Sequence, residues 1–499
     1  RIHRSTIPRG NNNRFLIMAI TIQQAPSSPF DMAYGANPIT LTGIDPNADK
    51  YALRIYLLGN PNPIADIRQS PNRQARAIFD IQNILQAYVS PTKNNIDALG
   101  VTGNGLQIAN GELIEYQIAT AEETGGTIPE AGEPGTWVIN PTIYTTIAGA
   151  KSYWQVPFTA SKYQAALQSD INGCTILNPS AKPLQASALS DNEWTIKDTE
   201  TGDDFLGDGW ASPTGIDVHN VYADDQCTKS FFQPTNRGGA NPPVFNAQGI
   251  EAFIIAEYDA NGNMSSERQI NNIINNGGGP NNTPGQGLVS TGNFKTVTIG
   301  TGPANLPGFD LNPSTTHYYV MPMVYSPVTS ECGGGGLLYT PAWKAQRYNL
   351  IQEPCNDYDH IQFAWLNSLG YRDQFTFTKK NEKKINTERN NFLKEVADYN
   401  SSSYSVDRQS RGFTTYSQAI KEVWEATSGY MNDKEADLLE SMFKSPSVMV
   451  RHSTGEYANQ WIPINLISSS YTQKSYRKDR LFQYTVNYKL ASNIKSQRG

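Results

Sequence analysis

Residues 361–380 read IQFAWLNSLGYRDQFTFTKK. Ile361, Phe363 and Trp365 alternate with neighbours on the opposite face. Asn367, Ser368, Leu369 and Gly370 supply turn chemistry, and Phe375 and Phe377 resume the alternation. A period of two on either side of a turn is the pattern of a β-hairpin. No nucleophile with a base beside it occurs in the stretch, so its aromatic density reads as core packing rather than a catalytic centre.

Working outward toward the C-terminus, "SVMVRH", "WIPINLI" and "LFQYTVNYKLA" continue in strand period. In the last, Phe482, Tyr484, Val486, Tyr488 and Leu490 alternate with Gln483, Thr485, Asn487 and Lys489, predicting one buried and one wet face. Asn432 as N-cap, with Glu435 three residues on, predicts a helix whose stripe is Ala436, Leu439 and Phe443, widened by Leu438 and Met442. A further helix is expected over "NTERNNFLKEVADYN" (386–400), followed by "TYSQAIKEVWEAT" (415–427). Residues 346–499 thus read as an α+β module.

Toward the N-terminus, "ANPITLTGID", "YALRIYLLGN" (with Leu53, Ile55 and Leu57 on one face) and "GELIEYQIATAEE" predict short strands. "ARAIFDIQNILQAYVSPT" runs in strand period through Ala77, Phe79 and Ile81, then turns helical through Ile84, Leu85 and Tyr88 before Pro91. Residues 31–125 read as a small β-sandwich. Residues 126–345 are punctuated by "RGGANPP", "NNIINNGGGPNNTPGQG" and "ECGGGG" and read as a second, loop-rich β domain. Its clearest strands are "THYYVMPMVYS" and "IEAFIIAEYDANGN", with Asn261-Gly262 as a hairpin turn. The chain is therefore expected to be mainly β with a few helices.

Residues 1–30 form an expected extended arm. Met18 opens MAITIQQAPSSPF, which has the form of a translation start. The preceding 17 residues are either an artefact of start choice or a basic arm, carrying Arg1, Arg4, Arg9 and Arg14 and no acid, that orders only on a partner. Cys174, Cys227, Cys332 and Cys355 are scattered without a C-x-x-C pair, as expected for free thiols in a reducing cytoplasm. The five histidines show no zinc spacing. No apolar run is long enough to span a bilayer, so no membrane insertion is expected.

Charge is asymmetric. Residues 18–343 hold 14 Lys and Arg against 29 Asp and Glu, whereas 344–499 hold 22 against 17. The acid excess concentrates in 112–133 and 191–225. Within the latter, Asp198, Glu200, Asp203, Asp204 and Asp208 are weak calcium candidates, since they do not match a D-x-[DN]-x-[DN]-G loop and read equally well as solvated charge. Asp259 to Asn263 resembles the start of such a loop but sits at a hairpin turn. Trp194 and Trp210 beside these acids could stack on sugars or be buried at an interface. No cofactor is expected: the glycine-rich segments carry no G-x-x-x-x-G-K-[ST] or dinucleotide fingerprint.

Three segments together carry a resemblance: RYNLIQEPCNDYDHIQFAWLNSLGYRDQFTFTKK, TSGYMNDKEADLLESMFKSPSVMV and the closing QYTVNYKLASNIKSQRG. Their order resembles virion structural proteins of tailed bacteriophages of Bacteroidetes-type hosts, crAss-like phages included. FDIQNILQAYVSPT is similar to the N-terminal sandwich of such proteins. The match rests on Trp365, Asn367, Gly370 and Ser445, covers about half of the chain, and leaves 126–345 unmatched. It implies a non-catalytic ring component of the tail or portal-to-tail connector, made in the host cytoplasm. Its implied partners are further copies of itself in a cyclic oligomer, neighbouring portal, ring and tail proteins, and genomic DNA passing nearby without specific binding. Trp365, Asn367, Gly370, Ser445, Tyr484 and Val486 then become scaffold or interface residues. The acidic segments have two open readings, as solvated outer loops or as a wall that repels the DNA. A receptor- or carbohydrate-binding tail protein and a tail-associated hydrolase remain the alternatives.

Overall fold

The computed structural model describes residues 20–26, 31–91, 106–108, 112–150, 175–176, 216–234, 252–271, 294–352, 358–467 and 483–491, apart from short gaps within these ranges. The described chain is mainly β, with two α-helices.

The first unit contains β1 (Thr21–Gln24), β2 (Asp31–Tyr34), β3 (Pro38–Thr42), β4 (Lys50–Leu57), β5 (Ala65–Gln69), β6 (Ala77–Asp80), α1 (Gln82–Tyr88), β7 (Leu106–Ile108), β8 (Leu113–Glu123), β9 (Val138–Ile139) and β10 (Tyr144–Ala150). Two sheets, β1-β3-β6 and β2-β10-β8-β4-β5, face each other. Ile39, Leu41 and Phe79 from one meet Tyr51, Leu53, Ile55, Tyr116 and Ile118 from the other, with Leu85 of α1 closing the end. The strand-then-helix reading of 77–88 holds. The sandwich reaches past residue 125, however: β10 lies between β2 and β8, while β7 leaves to join a sheet of the middle unit.

The middle unit comprises β11 (Thr175–Ile176), β12 (Ile216–Val221), β13 (Thr228–Pro234), β14 (Ala252–Tyr258), β15 (Met264–Asn271), β16 (Phe294–Gly300), β17 (His317–Val328), β18 (Gly336–Pro341) and β19 (Ala345–Leu350). Its sheets are β11-β13-β16-β7 and β12-β19-β17-β14-β15, with β18 beside β17. Phe231, Val297 and Ile299 pack against Phe253, Ile255, Tyr318, Val320 and Tyr348. The hairpin at Asn261-Gly262 forms as expected. Its Asp259 carboxylate accepts bonds from the Asn261 and Asn263 amides at 2.8 Å each, so it holds the turn together.

The C-terminal unit runs through β20 (Ile361–Leu366), β21 (Arg372–Phe377), β22 (Asn381–Leu393), β23 (Ala397–Asp398), β24 (Ser405–Val406), β25 (Phe413–Thr427), α2 (Asp433–Lys444), β26 (Val448–His452), β27 (Ile462–Leu466) and β28 (Thr485–Leu490). Seven strands form one sheet, β21-β20-β26-β27-β28-β25-β22. Helix α2 covers it, with Ala436, Leu439 and Met442 fully buried. Asn432, the expected cap, lies outside the described residues. In β28, Val486, Tyr488 and Leu490 are buried while Thr485 and Lys489 are exposed, as the alternation predicts.

The helix expected over 386–400 does not form. Residues 381–393 are extended and pair in register with 413–427, so the second segment is a strand too. The spacing that misleads is i, i+4, as in Ile420 and Trp424: it places two residues on one face of a helix and equally on one face of a strand. Asn and Thr in NTERNN weaken a helix, and Trp424 gains a place beside Tyr488 of β28.

Candidate interface between the middle and C-terminal units

The scaffold residues named from the sequence fall into one cluster around the hairpin. Trp365 is fully buried, and its indole Nε1 donates to the Ser441 hydroxyl of α2 at 2.7 Å. Asn367 closes the turn: its amide donates to the Tyr371 carbonyl at 2.7 Å and its Oδ1 accepts the Tyr371 amide at 3.0 Å. Ser445 Oγ accepts the Leu366 amide at 3.1 Å and donates to the Ser447 carbonyl at 2.9 Å, fixing the end of α2 to the sheet. Val486 lies in the same apolar cluster as Trp365, and Tyr484 packs at its edge. Gly370 instead faces the first unit, with φ of 88°.

Alternation alone places Gln362, Gln374 and Thr376 on the far face of this hairpin, away from α2. The structure covers that face with residues 222–228 of the middle unit, so β20 is buried throughout. Gln362 Oε1 accepts the Gln226 amide at 3.1 Å. Gln374 Oε1 accepts the Thr228 amide at 3.2 Å, and its Nε2 donates to the Thr228 hydroxyl at 2.7 Å. Thr376 Oγ1 donates to Asp225 Oδ1 at 2.7 Å. Arg451 of β26 donates through Nη1 to the Asp224 carbonyl at 2.8 Å and through Nη2 to Asn459 Oδ1 at 2.6 Å. The Trp461 indole donates to Gln226 Oε1 at 2.8 Å, and His360 Nδ1 lies 3.2 Å from Asp224 Oδ1.

The segment reaches this seam as a pre-shaped projection. Asn305 Oδ1 accepts the Cys227 amide and its Nδ2 donates to the Cys227 carbonyl, at 3.2 and 2.9 Å. Gly302 is required beneath it, because a Cβ there would lie 2.4 Å from both the Asp225 carbonyl oxygen and the Cys227 nitrogen. A buried polar surface is tolerable only if its groups are paired, and most of those in this seam are.

Burial dominates the electrostatics. It pushes the Asp225 carboxyl up to about 7, against the bonds it accepts from the Tyr222 amide and Thr376. Asp224 is also raised by burial, but His360 and Arg451 outweigh this and hold it below the usual carboxylate range. Burial raises the Cys227 thiol far above its ordinary value, so it stays protonated and serves as an acceptor for Gln362 Nε2 at 3.8 Å. A thiol held protonated is a poor nucleophile. What these groups can do is hold two units in one orientation and respond to protonation. Sequence reasoning missed the seam: YADDQCT carries no motif, and its partners lie far along the chain.

Four of the six acids of 112–133 are placed differently from either sequence expectation, while Glu130 is exposed and Glu133 lies outside the described residues. Glu112, Glu115, Glu122 and Glu123 are all buried. Glu123 pairs with Lys50 at 2.8 Å and with Arg68 at 2.5 Å, and Glu122 Oε1 accepts the Asp45 amide at 3.1 Å. These four are structural acids of the first sheet, neither solvated loop charge nor a wall beside DNA. Charge composition misreads Glu123 because its partners Lys50 and Arg68 come from other strands of the sheet. The calcium candidates Asp198, Glu200, Asp203, Asp204 and Asp208 lie outside the described residues, as do Trp194 and Trp210. Among the described residues no group of three His, Cys, Asp or Glu is placed to hold a metal, and no helix is long and apolar enough to cross a membrane.

No family model matches the chain, and no curated protein matches it.

Proposed function

We propose that this chain is a structural, non-catalytic component of a tailed-bacteriophage virion, forming a ring in the tail or the portal-to-tail connection. The observation that carries the reading is the ribbon of β22 and β25. Among the described residues, β28 pairs with Trp424–Thr427 of β25, and Lys384–Leu393 and Phe413–Val423 continue past the sheet as two strands paired with each other. At about 3.3 Å per residue this ribbon projects roughly 33 Å. A two-stranded ribbon without a covering layer is marginal in water, and its open edge is a template for pairing. An element of this kind belongs to a protein completed by assembly.

The seam supports the same reading, because its paired polar groups hold the middle and C-terminal units against each other. Assembly into a closed ring requires such rigidity, since heterologous contacts close only when each subunit repeats the same rotation. Neighbouring portal, ring and tail proteins are the further partners, with the genome passing through the assembly.

The test is cryo-electron microscopy and mass spectrometry of virions whose genome encodes this chain. The expected result is a ring of several copies between capsid and tail or within the tail. Particles that lack the chain would end the reading.

A further inference from the structure

Beyond Leu393 and Phe413 the pairing of the ribbon resumes. The Lys394 amide donates to the Gly412 carbonyl at 2.6 Å, and β23 pairs with β24 through Ala397 with Val406 and Asp398 with Ser405. Residues 381–427 thus form one hairpin arm rooted in the seven-stranded sheet. Among the described residues no strand lies beside the outer edge of β22, nor beside the outer edge of β25 from Phe413 to Val423. An arm of this kind presents an open ladder on each of its two sides.

The side chains decide whether a partner lies on a face or along an edge. Leu393 and Phe413 are register partners on one face, 71 and 73% exposed, while Phe392 and Tyr416 meet on the opposite face with ring centroids 6.2 Å apart. A partner laid on either face would leave the other apolar pair in water. A strand added at each edge brings side chains beside both pairs, because successive residues of a strand alternate between the faces. The charges specify the strand that fits. β22 carries Lys383, Lys384 and Glu388, and β25 carries Glu422, Glu425 and Lys421. Within the arm they meet as Lys383 with Glu422 at 2.9 Å, Lys384 with Glu425 at 3.3 Å and Lys421 with Glu388 at 2.8 Å. Side chains stand on the faces of a strand and reach the neighbour on either side. The open edge of β22 is therefore complementary to a strand charged as β25 is, and the open edge of β25 to one charged as β22 is.

We propose that the open edge of β22 of one copy pairs antiparallel with the open edge of β25 of the next, so that the arms join into a continuous cylinder of strands. The inference rests on the ring reading and names the contact between neighbouring copies. Each copy offers one edge and receives the other, so the contact is heterologous, and a closed ring leaves no arm edge exposed. Leu393 and Phe413 of successive copies then line one face of the cylinder, and Phe392 and Tyr416 the other.

Two full-length copies, distinguished by mass, test the contact. One carries Asn386→Cys or Asn390→Cys in β22, and the other Ser417→Cys, Ala419→Cys or Lys421→Cys in β25; all these positions share one face of the arm and sample registers shifted in either direction. Mixed as oligomers and oxidised mildly, at least one pairing should give a disulfide between the introduced cysteines of unlike copies, located by mass spectrometry. Copies altered only in β22 should give none with each other, since β22 does not meet β22. In parallel, hydrogen exchange of the wild-type oligomer should slow by roughly tenfold or more at fast-exchanging amides of both 384–393 and 413–423, relative to the diluted monomer. Oligomers that give no such link in any pairing, or whose arm amides exchange as fast as in the monomer, overturn the inference and leave the ring reading standing. Links between two β22 cysteines, a chain that stays monomeric, or arm amides that slow only when duplex DNA is added overturn it as well. Absence of the chain from the virion is the separate outcome that ends the ring reading.

Discussion

Gly370, in the turn of the C-terminal hairpin, is seated directly on the backbone of Ala148 in the first unit: a Cβ built on it would lie 2.3 Å from the Ala148 carbonyl oxygen. Its φ of 88° is a second reason for glycine. Gly370→Ala should therefore cost about 2 kcal/mol or more, from left-handed strain and from a clash with main chain that cannot rotate away. Urea denaturation checks this. A variant as stable as the wild type would show that the first unit does not rest on this turn.

The terminal strand offers a contrast between its two faces. Val486 is fully buried beside Tyr488, so Val486→Asp places a carboxylate in an apolar core and should cost several kcal/mol. Thr485 faces solvent, where its hydroxyl meets that of Thr427 at 3.0 Å, and Thr485→Asp should cost under about 1 kcal/mol. Equal damage in chemical denaturation would mean that the outer face of β28 is covered in solution.

Elements with a period of their own were legible. The strand at 485–490 alternates without interruption, and α2 repeats at three and four residues with Leu439 and Met442 turned inward. The ribbon was not, because i, i+4 spacing satisfies both helix and strand, and what decides between them is a partner strand beyond the tip. Nor was the seam. Gln226 and Gln362 are 136 residues apart, and Asp225 and Thr376 are 151 apart, so neither segment announces the other. Outward polar positions such as Gln362 look the same in sequence whether water or another unit covers them.

The attachment of α2 to the sheet runs through Trp365 and Ser441. The indole donates to a hydroxyl that itself donates to the Leu438 carbonyl at 2.7 Å. A double-mutant cycle of Trp365→Phe and Ser441→Ala should give a coupling of about 1 kcal/mol, above the separate costs of lost volume. Strict additivity would assign Trp365 to packing alone.

The seam should make stability depend on pH in a direction that composition does not suggest. Asp225 titrates near 7 in the folded chain against 3.8 when unfolded. Across that window the folded chain holds a proton that the unfolded chain has released, so its contribution to stability is full below 3.8 and declines as pH rises toward about 7. At roughly 1.4 kcal/mol per unit the decline is on the order of a few kcal/mol. His452, buried against Trp424 and Tyr488, works the other way: burial lowers it from 6.5 to about 4, so its contribution is lost as pH falls through that range. The two partly cancel in the wild type, and Asp225→Asn separates them. Below about 7 the folded Asp225 is a neutral acid with one carbonyl acceptor, which the amide reproduces, so the variant stays near the wild type at acid pH and lacks the decline above it. Its stability should then rise from pH 4 to 7 on the His452 contribution, whereas the wild-type curve is flatter or falls. Parallel wild-type and variant curves in denaturation measured across this range would place the proton somewhere other than Asp225.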